Sequence, residues 1–171
     1  MYKKMKTHTL LFVIFFVCST GNAQDTNALT MKDLIEIRIK GNYSCVILNG
    51  SEPRVFNQRG VADLYDLLHN EPTLLKGAIM ADKVVGKGAA ALMILGGVKQ
   101  LHTEIICTPA ITMLCNAGIE VTFDMEVEFI YNNSRTDWCP VEKLCKDLDT
   151  AEECMPVIDE FVKSMRKKHS N

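Results

Sequence analysis

The segment Ala81-Asp82-Lys83-Val84-Val85-Gly86-Lys87-Gly88-Ala89-Ala90-Ala91 sets one acid and two lysines in a run that is otherwise apolar or small. Small residues at a helix start let backbone and ligand approach closely, and the free N–H groups there favour an anion. The run reads either as a ligand site or as a tightly packed buried helix behind a solvated turn. It is not a P-loop, because the Gly-x-x-x-x-Gly-Lys-Ser/Thr spacing is absent. A second constellation is Trp138-Cys139-Pro140-Val141-Glu142-Lys143, which joins a lone Trp, a thiol and an acid–base pair at a helix start. These residues either line a pocket, with Cys139 activated by the helix start, or cover a core edge while Glu142 serves the first helical turn. His102-Thr103-Glu104 has the letters of a His-x-Glu zinc motif. It falls inside an expected strand, however, and no Pro-Cys-x-x-Cys follows it.

The elements that must position these groups can be read from periodicity and punctuation. Thr30 caps a first helix with Asp33 in its first turn and Met31, Leu34, Ile35, Arg38 and Ile39 on its apolar face; Gly41-Asn42 ends it. Tyr43 to Leu48 is β-rich, Asn49-Gly50 signals a two-residue hairpin, and Pro53 to Phe56 returns. Gly60 opens a helix to about His69. A strand near 77–81, a polar turn and a helix over about 84–95 follow, closed by Gly96-Gly97. Val98 to Cys107 reads as a strand, and Thr108-Pro109 as N-cap and first residue of a helix whose C′ position is Gly118. From Ile119 the alternation is strict, with Val121, Phe123, Met125, Val127, Phe129 and Tyr131 on one side. Pro140 starts a short helix, and Thr150 with Glu153 forms a capping box for a last helix to about Lys168. Strands interleaved with single helices, after one early hairpin, predict a three-layer α/β/α sandwich around a mixed sheet.

The N-terminus carries Lys3, Lys4 and Lys6, then an apolar run over 9–18, then the small residues Gly21 and Ala23. This is the pattern of a cleavable signal peptide over residues 1–23, cut before Gln24. The expected mature chain is a short leader over 24–29 and a single domain over 30–168, exported to a periplasmic or extracellular space and free of the membrane after cleavage. Formal net charge is −2, falling to about −5 without the three lysines. A mildly acidic chain with no long basic run is a poor nucleic-acid binder. Six cysteines remain after cleavage: Cys45, Cys107, Cys115, Cys139, Cys145 and Cys154. None forms a Cys-x-x-Cys, which argues against thioredoxin-type redox catalysis and ribbon or finger zinc sites. Cys45, Cys107 and Cys115 have apolar neighbours and read as core residues.

Asp82-Lys83-Val84-Val85-Gly86-Lys87, then Thr108-Pro109-Ala110, then Cys139-Pro140-Val141-Glu142-Lys143, in that order, resemble the prokaryotic family catalogued as domain of unknown function 1893, over roughly residues 30–160. The resemblance implies a cytidine-deaminase-like fold and no particular reaction. A deaminase needs His or Cys with Glu at +2, then Pro-Cys-x-x-Cys, to hold zinc and move protons. The corresponding positions here are Gly86-Lys87-Gly88 and Pro109-Ala110-Ile111-Thr112-Met113, which lack those ligands. The expectation is therefore a zinc-free pocket with no cofactor, taking a nucleotide-like or other phosphate-bearing ligand through Asp82, Lys83, Gly86, Lys87, Cys139, Glu142 and Lys143. Two alternatives stand beside it. One is an enzyme using Cys139, Glu142 and Lys83 for thiol or acid/base chemistry. The other is a structural or protein-binding domain with a relic pocket.

Overall fold

A computed structural model describes residues 28–58 and 60–169. The expected signal peptide and most of the leader lie outside the described residues. Helix α1 (Met31–Gly41) begins with a capping box, Thr30 and Asp33 bonding reciprocally, a motif worth about 1 kcal/mol. Strands β1 (Cys45–Leu48) and β2 (Pro53–Phe56) pair antiparallel, Cys45 opposite Phe56. Helices α2 (Ala62–Asn70) and α3 (Pro72–Leu75) lead to β3 (Ile79–Val85). Helix α4 (Lys87–Gly96), β4 (Gln100–Cys107), α5 (Thr108–Asn116) and β5 (Glu120–Val127) follow, and α6 (Pro140–Cys145) and α7 (Ala151–His169) end the described chain.

The five strands form one sheet in the order β2-β1-β3-β4-β5. β1 runs antiparallel to both its neighbours, whereas β3, β4 and β5 are parallel, so the sheet is mixed. All four residues of β1 are buried, as an interior strand covered on both faces requires. On one face α1 packs Leu34 against Val46, Leu48 and Ala81. The larger core lies on the other face, where α4 is central: Ala89 to Met93 are all buried, and the helix has neighbours in α2, α5, α6 and α7. A helix apolar all round belongs in such a place. Among the described residues no helix is long and apolar enough to cross a membrane.

Several expectations need correction. The Asn49-Gly50 pair does not make a two-residue hairpin; four residues separate β1 from β2, and the Asn49 amide donates instead to the carbonyls of Thr73, Leu74 and Lys76. The polar Asp82-Lys83 pair is not a turn. β3 runs through it to Val85 because β1 and β4 both pair with that strand, and α4 starts only at Lys87. The N-cap of α5 is Cys107, which makes Thr108 the first helical residue. In α1 it is Arg38 that is buried, paired with Glu104 of β4, while Ile39 is 58% exposed. On β5, an edge strand with a neighbour on one side only, Val121 and Val127 pack on the core but Phe123 and Met125 remain exposed. Phe129 and Tyr131 lie past its end, and Cys115 is exposed rather than buried. The capping box at Thr150 and Glu153 is present, and Gly118 has the left-handed φ of +76° expected of a C′ residue.

Candidate functional site

A cavity of about 430 Å³ lies beyond the carboxyl end of β3, where ligands commonly sit in open α/β sheets. Its floor is the paired Cys45 and Asp82. One wall is the start of α4, with Gly86, Gly88 and Ala89; another is the start of α6, with Cys139, Val141 and Glu142. Asp63 and Leu64 of α2 and Phe56 of β2 close a third side. The last wall is the loop after β5, through Ile130, Tyr131 and Asn133. That loop is pinned at its base: the Cys139 N–H donates to the Ile130 carbonyl at 2.7 Å, Tyr131 bridges Trp138, and Trp138 stacks on Phe129 with centroids 4.2 Å apart.

Five of the seven residues singled out from sequence face this cavity: Asp82, Lys83, Gly86, Cys139 and Glu142. The other two do not. Lys87 is 8% exposed and its ammonium donates to the Lys146 carbonyl at 2.9 Å, beneath α6. Lys143 pairs with Asp137 in a separate shallow groove beside Trp138 and Lys146. Among the lining residues that the sequence did not single out are Cys45, Asp63 and Tyr131. Cys45 passed for core, whereas Asp63, which accepts both the Gln58 N–H and side-chain amide at 2.8 Å, and Tyr131 carried no signal beyond lying near turns.

Glu142 is 4% exposed and closes the gap between two helix starts. One oxygen accepts the Lys87 backbone N–H at 2.9 Å, and the other accepts the Cys107 thiol at 3.0 Å. Gly86, the N-cap of α4, has no side chain to serve that helix, so the carboxylate from α6 does so. The glycines permit this approach. A Cβ on Gly86 would lie 2.3 Å from Glu142 Oε2, and one on Gly88 would lie 2.3 Å from Val141 Cγ1. Burial, then the bond to Glu142, pushes the Cys107 thiol up to about 12. The site between the helix starts thus holds one carboxylate and one protonated thiol bonded to each other. Among the described residues no group of three or more His, Cys, Asp or Glu is placed to hold a metal ion, so the ligand set of a zinc deaminase does not fit here.

Loss of water pushes the Asp82 carboxyl up to about 6, against the Val84 N–H at 3.0 Å and the Cys45 thiol, which both bond to its ionised form. The Cys45 thiol moves well up in turn, through burial and the neighbouring carboxylate. The described lining carries three carboxylates, Asp63, Asp82 and Glu142, and one ammonium, Lys83. On the far face of the sheet, His102 sits 3.1 Å from the Thr122 hydroxyl and Glu104 is held by Arg38, so the His-x-Glu pair belongs to the packing there.

A solved DUF1893 family protein from Thermotoga maritima matches with a TM-score of 0.69 at 23% identity, covering 78% of this chain and 92% of that one. RibD from Acinetobacter baumannii matches with a TM-score of 0.39 at 20% identity, over 55% of this chain and 33% of that one. Curated proteins give no match. The model of a domain of unknown function, DUF1893, matches residues 33–162, and the chain belongs to that family.

Proposed function

We propose that this domain binds a small nucleoside-like molecule in the cavity above β3, without zinc, and recognises it through hydrogen-bond donors presented to Asp82. The observation that carries the reading is the position of Asp82: a carboxyl short of water, on the floor of a cavity of small-ligand size, whose described lining has three carboxylates against one ammonium. Such a floor attracts amino or amidine groups and repels a phosphate. Phe56 and Tyr131 offer flat apolar surface for a heterocycle. Among the described residues a phosphate-bearing ligand would draw on Lys83 alone, because Lys87 and Lys143 are engaged elsewhere and Glu142 already serves the α4 N-terminus.

Thiol or acid/base catalysis at Cys139 is less well supported, since both oxygens of its proposed partner Glu142 are engaged, one by Lys87 and one by Cys107. A thermal-shift panel of nucleosides, nucleotides, sugars and inorganic phosphate tests the reading. Nucleosides are expected to raise the melting temperature and phosphate to leave it unmoved; the reverse order would refute it. Export with cleavage before Gln24 belongs to the same reading. Intact-mass measurement from a native-like host is expected to find a chain starting near Gln24, and a full-length membrane-bound product would contradict that.

A further inference from the structure

We propose that Cys145 and Cys154 are a redox pair that closes to a disulfide tying α6 to α7. The two thiols lie nine positions apart across the turn between these helices, each fully buried, and they hydrogen-bond to each other. The pair sits over the first turn of α4: a Cβ on Gly88 would lie 3.7 Å from Cys145 Sγ, and the ammonium of Lys87, anchored on the Lys146 carbonyl, stands near both sulfurs. A buried ammonium beside two thiols favours the thiolate, which is the nucleophile in disulfide exchange. Their mutual bond and then burial push Cys145 up, whereas that bond and then Lys87 hold Cys154 below the ordinary thiol range.

With a small disulfide such as oxidised glutathione as oxidant, one thiol of the pair, as its thiolate, attacks one glutathione sulfur and expels the other half as a thiolate. The second thiol then loses its proton and attacks the first protein sulfur, expelling the second glutathione. The two protein thiols are oxidised by two electrons, one glutathione disulfide is reduced to two thiols, and the two protein protons end on them. Because α6 carries Val141 and Glu142, the bond would hold that wall of the cavity on α4.

The test uses the full chain in two samples, one equilibrated natively with oxidised glutathione and one refolded from denaturant in a glutathione redox buffer, which removes the need for α6 to open. Free thiols are alkylated under denaturing conditions and peptides mapped by mass. The expected result is a Cys145–Cys154 linked peptide in the refolded sample and a melting temperature about 5–10 °C above the reduced protein. In the double variant Cys145→Ser/Cys154→Ser, oxidised and reduced samples should melt together. Alkylation of both residues after oxidative refolding, or a link from either one to another cysteine, overturns the proposal.

Discussion

The Glu142 carboxylate accepts the Lys87 backbone N–H at 2.9 Å, so helix α4 is capped by a residue that lies 55 positions further along the chain. This one contact joins the two sequence blocks that looked chemically interesting. It also shows that much of their chemistry is turned inward, to hold α6 on α4.

Replacing Glu142 separates the bond from the charge. Glu142→Ala leaves the Lys87 N–H and the Cys107 thiol without their partner in a buried place, and a loss of about 1–3 kcal/mol is expected in urea unfolding. Glu142→Gln keeps an acceptor oxygen and should lose clearly less.

Gly86→Ala should destabilise by about 1–3 kcal/mol, because the new methyl meets Glu142 Oε2. The same substitution made on a Glu142→Ala background should cost measurably less, since the clash has been removed. A double-mutant cycle reads the difference, and additive costs would show that the contact is not the cause.

Asp82 predicts a pH dependence. Its carboxyl titrates at about 6 in the folded chain, above the ordinary 3.8, so the folded state binds this proton more tightly than the unfolded one. Its contribution is most favourable below about pH 4 and is lost as pH rises through 6. Asp82→Asn should therefore stabilise the protein by about 1–3 kcal/mol at pH 8 relative to wild type, with the gap closing as pH falls towards 4. A gap that is constant across this range would contradict the assignment.

Thiol reactivity should follow exposure and the local field. Under reducing conditions iodoacetamide should modify exposed Cys115 first and half-buried Cys139 more slowly. Cys107, pushed to about 12, should resist until the protein unfolds. Mass mapping of a labelling time course checks the order.

What the sequence made legible were the features carried by neighbours a few residues apart. Thr30, the Thr150–Glu153 box, Gly118 and Pro140 each mark a helix end, and each does so in the structure. Misreadings arose where distant partners decide. Asp82 and Lys83 look like a turn by polarity, but pairing of β3 with β1 and β4 keeps them in a strand. Lys87 looks like an anion-binding lysine until the Lys146 carbonyl, 59 residues on, is seen to hold it. Phe123 and Met125 alternate like core residues, yet they stand on an edge strand with little above them. A pocket shared by Asp82 to Lys87 with Cys139 and Glu142 is what two helix starts and the family resemblance together imply, and the Lys87 side chain is the part that turns away, whereas Cys45 and Asp63 could be placed in the cavity only by the fold.

Whether Asp82 anchors a donor-bearing nucleoside-like ligand can be read from calorimetric titration of wild type and Asp82→Asn at pH 8 with cytidine, adenosine, their monophosphates and inorganic phosphate. Wild type is expected to bind a nucleoside saturably, its monophosphate more weakly and phosphate not at all, with a loss of about tenfold or more in nucleoside affinity in Asp82→Asn, as removal of one charged hydrogen-bond partner implies. Absence of nucleoside binding to wild type, or affinity that is unchanged in Asp82→Asn, would contradict that role of Asp82.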